Sequence, residues 1–207
     1  MTRLVLATGN LHKVEEIAPL LSGTGVELVA VGDLVPNWDI EETGETLEEN
    51  ALLKARAAVE ATGLPAVADD TGLFVEALNG EPGVWSSRYA GPACSFADNR
   101  RKLLAALADV KDGARAARFR SVAVLVCPDG SHRAFEGVLH GSIGHGERGT
   151  HGFGYDPVFV LPSGLTLAEL PLEAKNRVSH RAAAFASLAS WLIARGESMC
   201  PCGPPEG

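Results

Sequence analysis

Apolar residues occur along the chain in two spacings, one typical of strands and one typical of helices. Short apolar runs predict buried strands, and they cover residues 4–7, 26–31, 65–68, 118–127 and 158–161. Segments in which apolar residues return every three or four positions predict amphipathic helices, and they cover residues 14–21, 46–62, 96–107 and 180–192. A helical turn is predicted over residues 166–170. The chain therefore combines strands and helices.

Turn residues divide these segments. Asn79-Gly80 is a strong turn signal after an extended stretch over residues 73–78. Asp129-Gly130 lies between two strand-like segments and predicts a long β-hairpin that ends near Leu139. From Gly137 to Gly154 glycine occurs seven times, which predicts that no regular element forms there.

An acidic pair follows the predicted strand at residues 65–68. Asp69 and Asp70 come directly after it, and Thr71-Gly72 then predicts a turn. Burying ionised carboxylates is costly without a compensating charge, and a bound cation would supply that charge. The alternative is a solvated turn that closes the strand, because Asp and Gly are ordinary turn residues.

Acidic residues also gather around the start of the second predicted helix. Thr46 and Glu49 form a capping-box pattern, and acids in a first helical turn are favoured by the helix dipole. Glu41 and Glu42 precede the helix, so neither effect accounts for them. These two carboxylates are therefore candidates for a chemical role.

A polar loop joins the first predicted strand to the first predicted helix. Its sequence is Thr8-Gly9-Asn10-Leu11-His12-Lys13. Backbone N–H groups and a helix N-terminus at such a loop suit an anion, and Lys13 adds a cation. A Walker loop is excluded because its spacing is missing. A plain strand-to-helix connection stays open as the alternative.

Two later segments carry groups suited to a ligand. Phe153 is flanked by glycines, which let a ligand approach the backbone while the ring stacks on a flat group. An ordinary core phenylalanine in a bulge is the alternative. Ser179 is a natural N-cap, so His180 and Arg181 fall in the first turn of the last helix, where the dipole disfavours positive charge. The two residues suggest a counter-ligand.

Composition narrows the possible partners and the location. The 207 residues carry a formal net charge of −8, which argues against a nucleic-acid backbone because such binding rests on many Lys and Arg contacts. A small phosphorylated ligand needs only a local cationic pocket. There is neither a membrane-spanning run nor a signal-peptide pattern, so we expect a cytoplasmic protein.

The cysteines suggest no further chemistry. They are Cys94, Cys127, Cys200 and Cys202, and their spacing does not provide the two close pairs of a metal site. Structural roles are expected, with Cys127 as a buried thiol. From Gly196 onward the chain is predicted to be a disordered tail.

Seven motifs in register resemble the noncanonical purine nucleoside triphosphate pyrophosphatases. This is the inosine triphosphatase family, whose bacterial members are called dITP/XTP pyrophosphatases. The resemblance runs from about Leu4 to Leu192. The motifs are Thr8-Gly9-Asn10-x-x-Lys13, Glu41-Glu42-Thr43-Gly44, Glu49-Asn50-Ala51-x-x-Lys54-Ala55, Ala68-Asp69-Asp70-Thr71-Gly72-Leu73, Gly83-x-x-Ser86-x-Arg88-Tyr89, Gly152-Phe153-Gly154-Tyr155-Asp156-Pro157 and Ser179-His180-Arg181.

The resemblance implies a fold and a reaction. The implied fold is α/β, with two lobes around a long twisted mixed β-sheet, flanking helices and an active-site cleft between the lobes. One two-lobed domain over residues 1–195 and a homodimer are expected. The implied reaction is Mg²⁺-dependent hydrolysis of XTP, ITP or dITP to the monophosphate and pyrophosphate, which cleans the nucleotide pool of deaminated purines.

The resemblance also assigns roles to residues. Asp70 is implied as the general base and as a metal ligand. Glu41 is implied as the other metal-binding carboxylate, and Glu42 remains an alternative for that role. Asp69 is expected to support the turn. The residues expected to bind the triphosphate are Thr8, Gly9, Asn10, Leu11, His12, Lys13, Lys54, Thr71 and Arg88. The residues expected to bind the purine are Phe153, Gly154, Tyr155, Asp156, Lys175, His180 and Arg181.

Hydrogen-bond donors facing the purine O6 accept a 6-oxo group and reject the 6-amino group of ATP. Guanine has the same O6, so rejection of GTP requires a contact near the 2-position. One alternative is a related pyrophosphatase for modified pyrimidine or methylated nucleotides, which the motifs at residues 153–156 and 179–181 argue against. The other is a nucleotide-binding regulator without catalysis, which should lack the carboxylates at residues 41, 42, 69 and 70.

Overall fold

One mixed β-sheet organises the chain. The structure is a computed structural model that describes residues 2–196. Its strands are β1 (Thr2–Leu6), β2 (Val26–Ala30), β3 (Ala66–Val75), β4 (Pro82–Gly83), β5 (Ala116–Val126), β6 (His132–Ile143) and β7 (Phe159–Val160). Their order is β2-β1-β3-β5-β6-β7, with β4 paired to β3. β1 is parallel to β2 and β3, whereas β4 is antiparallel to β3 and β7 is antiparallel to β6.

Helices connect most of the strands, which confirms the predicted α/β class. They are α1 (Leu11–Leu20), α2 (Val31–Leu34), α3 (Leu47–Thr62), α4 (Phe96–Ala106), α5 (Leu172–Lys175) and α6 (His180–Arg195). Short 3-10 turns cover Glu76–Leu78, Ser86–Arg88, Asp156–Val158 and Leu167–Glu169, and the last of these is the predicted turn. Within residues 2–196, no helix is both long and apolar enough to cross a membrane.

Helix α3 begins and ends where its sequence indicates. The Thr46 hydroxyl accepts a hydrogen bond from Glu49 N at 3.1 Å, and the Glu49 carboxylate accepts one from Thr46 N at 3.1 Å. These bonds satisfy N–H groups that a helix start leaves without partners. At the other end Gly63 adopts φ +68° and ends the helix, a left-handed conformation that glycine adopts without steric cost.

The chain divides into two compact units, each with its own core. The first unit comprises residues 2–70, Ser121–Gly137 and residues 181–196. The second comprises Thr71–Arg120 and Val138–His180. In the first unit the fully buried core residues include Leu4, Ile17, Leu125, Phe185 and Leu188. In the second unit they include Leu73, Leu103, Val158, Phe159 and Leu167. The predicted tail, with Cys200 and Cys202, lies outside the described residues from position 197 on.

The predicted turn at Thr71-Gly72 is wrong, because β3 continues through it to Val75. Gly72 is needed for close approach instead. A Cβ atom at this position would lie 2.6 Å from the carbonyl oxygen of Gly83 on the neighbouring β4. Glycine therefore lets the antiparallel strand approach at Leu73↔Gly83. The turn predicted at Asn79-Gly80 is present, with φ +52° and +90°.

The prediction of irregular structure over residues 137–154 is wrong for residues 137–143, where β6 continues to Ile143, and is confirmed for residues 144–154, which form neither helix nor strand. Gly141 lies inside the strand, where a Cβ atom would meet the Val160 carbonyl oxygen at 2.5 Å and the Phe159 ring at 2.6 Å. The glycine allows β7 to approach rather than interrupting β6. The predicted hairpin is confirmed in its turn, where Gly130 N donates to Cys127 O at 2.9 Å.

Candidate functional site

Asp69 and Asp70 lie within β3, just beyond its parallel pairing with β1. The last paired residues are Leu6 and Val67. Asp69 is 1% exposed and Asp70 is 7% exposed, so the solvated turn considered as an alternative is excluded. Carboxylates this deeply buried need partners, and the two residues have different ones.

Asp69 is surrounded by positive charge. Its Oδ1 lies 3.0 Å from Lys13 Nζ, and its Oδ2 lies 3.1 Å from Arg181 Nε. Burial raises the pKa of the Asp69 carboxyl, but the charges of Lys13, Arg181 and Lys54 outweigh burial and hold that pKa well below its usual range. Asp69 thus supports a charge cluster and not the predicted turn.

Glu16 completes this cluster from α1. Its Oε2 accepts a hydrogen bond from Arg181 Nη1 at 2.5 Å, and both side chains are almost fully buried. Burial lowers the pKa of Arg181, but Asp69 and Glu16 outweigh burial and raise it. The position of Arg181 at a helix start suggested a counter-ligand. In the structure, Asp69 and Glu16 of the chain itself supply negative charge to Arg181. Sequence reasoning missed Glu16, although it lies three residues after Lys13 and thus on the same helix face.

Asp70 has a different environment. Asn50 Nδ2 donates to its Oδ2 at 3.2 Å, and Lys54 Nζ lies 3.7 Å from its Oδ1. Burial dominates and raises the pKa of Asp70 above its usual value. Asn50 also accepts a hydrogen bond from Gly44 N at 2.7 Å, so it connects the acidic loop to Asp70. It lies in a recognised motif, but sequence reasoning gave it no role.

Lys54 brings the acidic loop and β3 together. Its Nζ lies 2.6 Å from Glu42 Oε1 and donates to the backbone carbonyl of Asp69 at 2.9 Å. Burial lowers the pKa of Lys54, but Asp70, Glu42 and Asp69 outweigh burial and raise it. Asn50 and Lys54 are four residues apart on α3, so one helix face presents both. Glu41 is exposed.

The predicted anion loop is built as a helix start. Asn10 caps α1, accepting a hydrogen bond from His12 N at 3.0 Å, while its own N–H donates to Thr8 Oγ1 at 3.2 Å. Lys13 Nζ donates to the same Asp69 carbonyl that binds Lys54, at 3.2 Å. Burial lowers the pKa of Lys13. Gly9, Leu11 and His12 are exposed, so this end of the loop is open to solvent.

In the second unit, residues 153–156 form a loop held by buried charge. Asp156 Oδ2 accepts hydrogen bonds from Phe153 N at 2.9 Å and from Lys175 Nζ at 2.5 Å. Lys175 Nζ also lies 5.2 Å from the centroid of the Phe153 ring. A Cβ atom on Gly152 would lie 2.1 Å from Asp156 Oδ2, so a side chain there would displace the carboxylate.

The remaining predicted residues of the second unit have aromatic or backbone contacts. The Tyr155 hydroxyl donates to Ser86 O at 2.9 Å, and burial raises the pKa of Tyr155. His180 is buried and stacks on Phe119 with ring centroids 4.5 Å apart. Arg88 lies over the Trp85 ring at 4.4 Å. Thr71 follows Asp70 in β3 and is half-buried.

The fold and the buried charges together are those of a ligand-binding α/β protein. Carboxylates and ammonium groups gather just beyond the end of a parallel strand pair in a mixed α/β sheet, a place where such sheets bind ligands. A sequence model of the Ham1 family matches residues 4–191. The chain belongs to this family, and the resemblance inferred from its motifs is confirmed.

Relatives named dITP/XTP pyrophosphatase match nearly the whole chain. The dITP/XTP pyrophosphatase of Methylococcus capsulatus is 54% identical over 196 residues, covering 93% of this chain and 96% of the relative. That of Geobacter sulfurreducens is 52% identical over 189 residues, covering 91% and 95%.

Solved structures show the same fold. A HAM1 protein from Coxiella burnetii superposes with a TM-score of 0.85 at 43% identity, covering 94% of this chain and all of the other. A nucleoside-triphosphatase, dITP/XTP pyrophosphatase, from Mycobacterium abscessus superposes with a TM-score of 0.72 at 45% identity, covering 90% of this chain and 98% of the other.

Proposed function

We propose that the protein hydrolyses XTP, ITP and dITP to the nucleoside monophosphate and pyrophosphate in a Mg²⁺-dependent reaction. The chain is a nucleoside triphosphate pyrophosphatase, the activity for which its relatives are named. The substrates and the Mg²⁺ dependence are our proposal. The observation that supports it is a nearly buried carboxylate, because Asp70 is 7% exposed and accepts a hydrogen bond from Asn50.

Asp70 acts as the general base. A base is most effective when its pKa lies near the working pH, and burial raises the pKa of Asp70 toward that range. The Asn50 amide orients one carboxylate oxygen, and Lys54 lies beside the other. Asp70 accepts a proton from the attacking water while these neighbours hold the carboxylate in place.

The residues around Asp70 fit a magnesium ion. No group of three or more His, Cys, Asp or Glu side chains suited to a metal occurs within residues 2–196. Magnesium in nucleotide sites needs only one or two protein carboxylates, because water and phosphate supply the other oxygens. Asp70 and either Glu41 or Glu42 would hold it. Bound with the triphosphate, Mg²⁺ would neutralise phosphate charge and would lower the pKa of the attacking water.

Lys13 and Lys54 neutralise the triphosphate. Pyrophosphate is a highly charged leaving group, so cations that approach it lower the barrier to its departure. Both ammonium groups bond to the Asp69 carbonyl, which holds them close together. The Thr8–Lys13 loop adds backbone N–H groups at the start of α1.

The loop at residues 153–156 recognises the base. Phe153 provides an aromatic face for stacking, and Lys175 provides N–H donors for a 6-oxo group. An adenine amino group would face those donors without a hydrogen bond, and such a mismatch is strongly rejected. We place the enzyme in the cytoplasm as a homodimer that removes deaminated purines before a polymerase uses them.

Pyrophosphate release tests the proposal. The substrates are ITP, XTP, dITP, GTP and ATP with Mg²⁺, and turnover is expected to be fast for the first three and slow for the last two. Asp70→Asn is expected to lose about 10²–10⁴-fold in kcat because the base is removed. Asp109→Asn, an exposed acid on the surface, serves as the control and should keep wild-type activity.

The same assay distinguishes the two candidate metal ligands. Glu41→Gln and Glu42→Gln are titrated with Mg²⁺, and the variant that lacks the ligand needs more Mg²⁺ for half-maximal activity. Equal turnover of all five substrates would contradict base recognition by the loop. Tight ITP binding without turnover would instead make the protein a nucleotide-binding regulator.

A further inference from the structure

Helix α4 contacts the loop at residues 153–156, which we call the base loop. Two residues of the loop anchor it to the rest of the second unit. Asp156 accepts a hydrogen bond from Lys175, and the Tyr155 hydroxyl donates one to the Ser86 carbonyl. Phe96 and Arg100 of α4 supply two additional contacts. Neither residue belongs to the motifs of the family resemblance.

Phe96 packs against the ring of Phe153. The ring centroids are 5.8 Å apart and the planes are inclined by 44°, and this separation lies within the range of favourable aromatic pairs. Phe96 is 42% exposed and is not among the core residues of the second unit. Its position at the start of α4 therefore serves the Phe153 ring more than the core.

Arg100 holds the backbone of the base loop. Its Nη1 donates to the Gly154 carbonyl at 2.9 Å, and its Nε lies 2.9 Å from Glu147 Oε1. The side chain is 15% exposed. A hydrogen bond from a guanidinium to a carbonyl is stronger than one between neutral groups, and the Glu147 carboxylate adds an ion pair beside it.

These two contacts restrain different parts of the loop. Phe96 and Arg100 are four residues apart, so they lie on one face of α4. Gly154 has φ +63° and no side chain that packing could hold, which leaves the orientation of its peptide to hydrogen bonds. Arg100 thus restrains the Gly154–Tyr155 peptide, while Phe96 restrains the Phe153 ring.

We propose that Phe96 and Arg100 are positioning residues that hold Phe153 in the orientation that stacks on the purine. This proposal rests on the proposed role of Phe153 in base binding. A ring that is already oriented loses less conformational entropy when the base binds. The two residues therefore act on substrate binding and not on the proton transfer at Asp70.

Steady-state kinetics with dITP test the proposal. Arg100→Met is expected to raise KM about tenfold and to leave kcat within about twofold, because the variant loses one charged hydrogen bond that holds the loop in its binding conformation. Phe96→Ala is expected to raise KM severalfold, and Phe96→Tyr, which keeps the ring, should restore it. Arg101→Met is the matched control: Arg101 lies on the same helix, is 75% exposed and pairs with Asp98, so KM should stay at the wild-type value.

Hydrogen exchange gives a second readout that needs no turnover. Amides of residues 149–156 should exchange faster in Arg100→Met and at the wild-type rate in Arg101→Met, with thermal unfolding measured for each variant. Wild-type KM in both Arg100→Met and Phe96→Ala, or unchanged exchange in Arg100→Met, would overturn the proposal. If the wild-type protein releases no pyrophosphate from dITP, the proposed function fails, and the exchange rates still decide whether α4 restrains the loop.

Discussion

Two adjacent aspartates of β3 have pKa values shifted in opposite directions. Asp69 contacts Lys13 and Arg181 and is held ionised, whereas burial raises the pKa of Asp70. In a strand, neighbouring side chains point to opposite faces, so one backbone segment exposes its two carboxylates to different surroundings. Separated pKa values of this kind are expected where one acid is ion-paired and its neighbour exchanges a proton.

Asp69 is expected to contribute strongly to stability. Asp69→Asn leaves Lys13 and Arg181 buried with less compensating charge, so the free energy of unfolding should fall by about 3–5 kcal/mol at neutral pH. Urea unfolding measures this change. The exposed Asp109→Asn serves as control and should stay within about 0.5 kcal/mol of wild type.

The contribution of Asp69 also has a defined pH dependence. The pKa of Asp69 is lower in the folded than in the unfolded chain, so its stabilisation is present above the unfolded pKa of about 4 and is lost as pH falls through the folded pKa. The stability difference between wild type and Asp69→Asn should therefore shrink below about pH 4. A difference that stays constant down to pH 2 would contradict the ion pairs of Asp69.

At the scale of elements, glycines inside strands explain both errors of the sequence-based predictions. Gly72 and Gly141 were predicted as turn or loop positions, yet each lies within a strand against a neighbouring backbone. Both errors have one cause. A glycine in the sequence shows only that a side chain is missing. The position of the neighbouring strand is needed to tell whether the missing side chain permits a turn or a close contact between strands.

Gly72→Ala should destabilise the second unit. The new methyl group would lie 2.6 Å from the Gly83 carbonyl oxygen and 2.9 Å from the Phe74 ring, and forced overpacking costs about 1–3 kcal/mol. The midpoint of urea unfolding should fall. Gly32→Ala is the control, because nothing lies within 4 Å of its Cβ position and alanine favours the helix there. Equal midpoints for the two variants would show that β4 moves away without cost.

At the scale of the whole molecule, we predict a homodimer. Large apolar side chains are exposed on the surface, including Trp85 and Ile193 at 52% and 62%, and an interface would remove such area from water. Sedimentation equilibrium over a dilution series should give twice the mass of the chain. The mass of a single chain at micromolar concentration would contradict the prediction.

Local patterns in the sequence were sufficient for most elements of the fold. The capping box at Thr46 and Glu49 and the turn at Asn79-Gly80 depend on residues a few positions apart. Their hydrogen bonds form within one segment, so the sequence contains all the partners. Each motif of the family is likewise a short run of residues, so the sequence alone was sufficient to identify the family.

The buried charge cluster depended on distant residues. Glu16 and Arg181 are separated by 165 positions, and Asp69 and Arg181 by 112. Sequence reasoning predicted acids and bases at several of these positions, but nothing in their local patterns indicates which acid pairs with which base. Packing of α1, α3 and α6 around β3 decides those pairs.

The sequence by itself therefore determined the element types, most helix ends, the family and the candidate residues of the site, because these follow from short-range periodicity, capping and motif spacing. The tertiary structure decided that β3 continues through Gly72, that Asp69 is paired while Asp70 has a raised pKa, and that Phe96 and Arg100 hold the base loop. Those outcomes follow from burial and from contacts between residues far apart in the chain, and both arise only when the chain is packed.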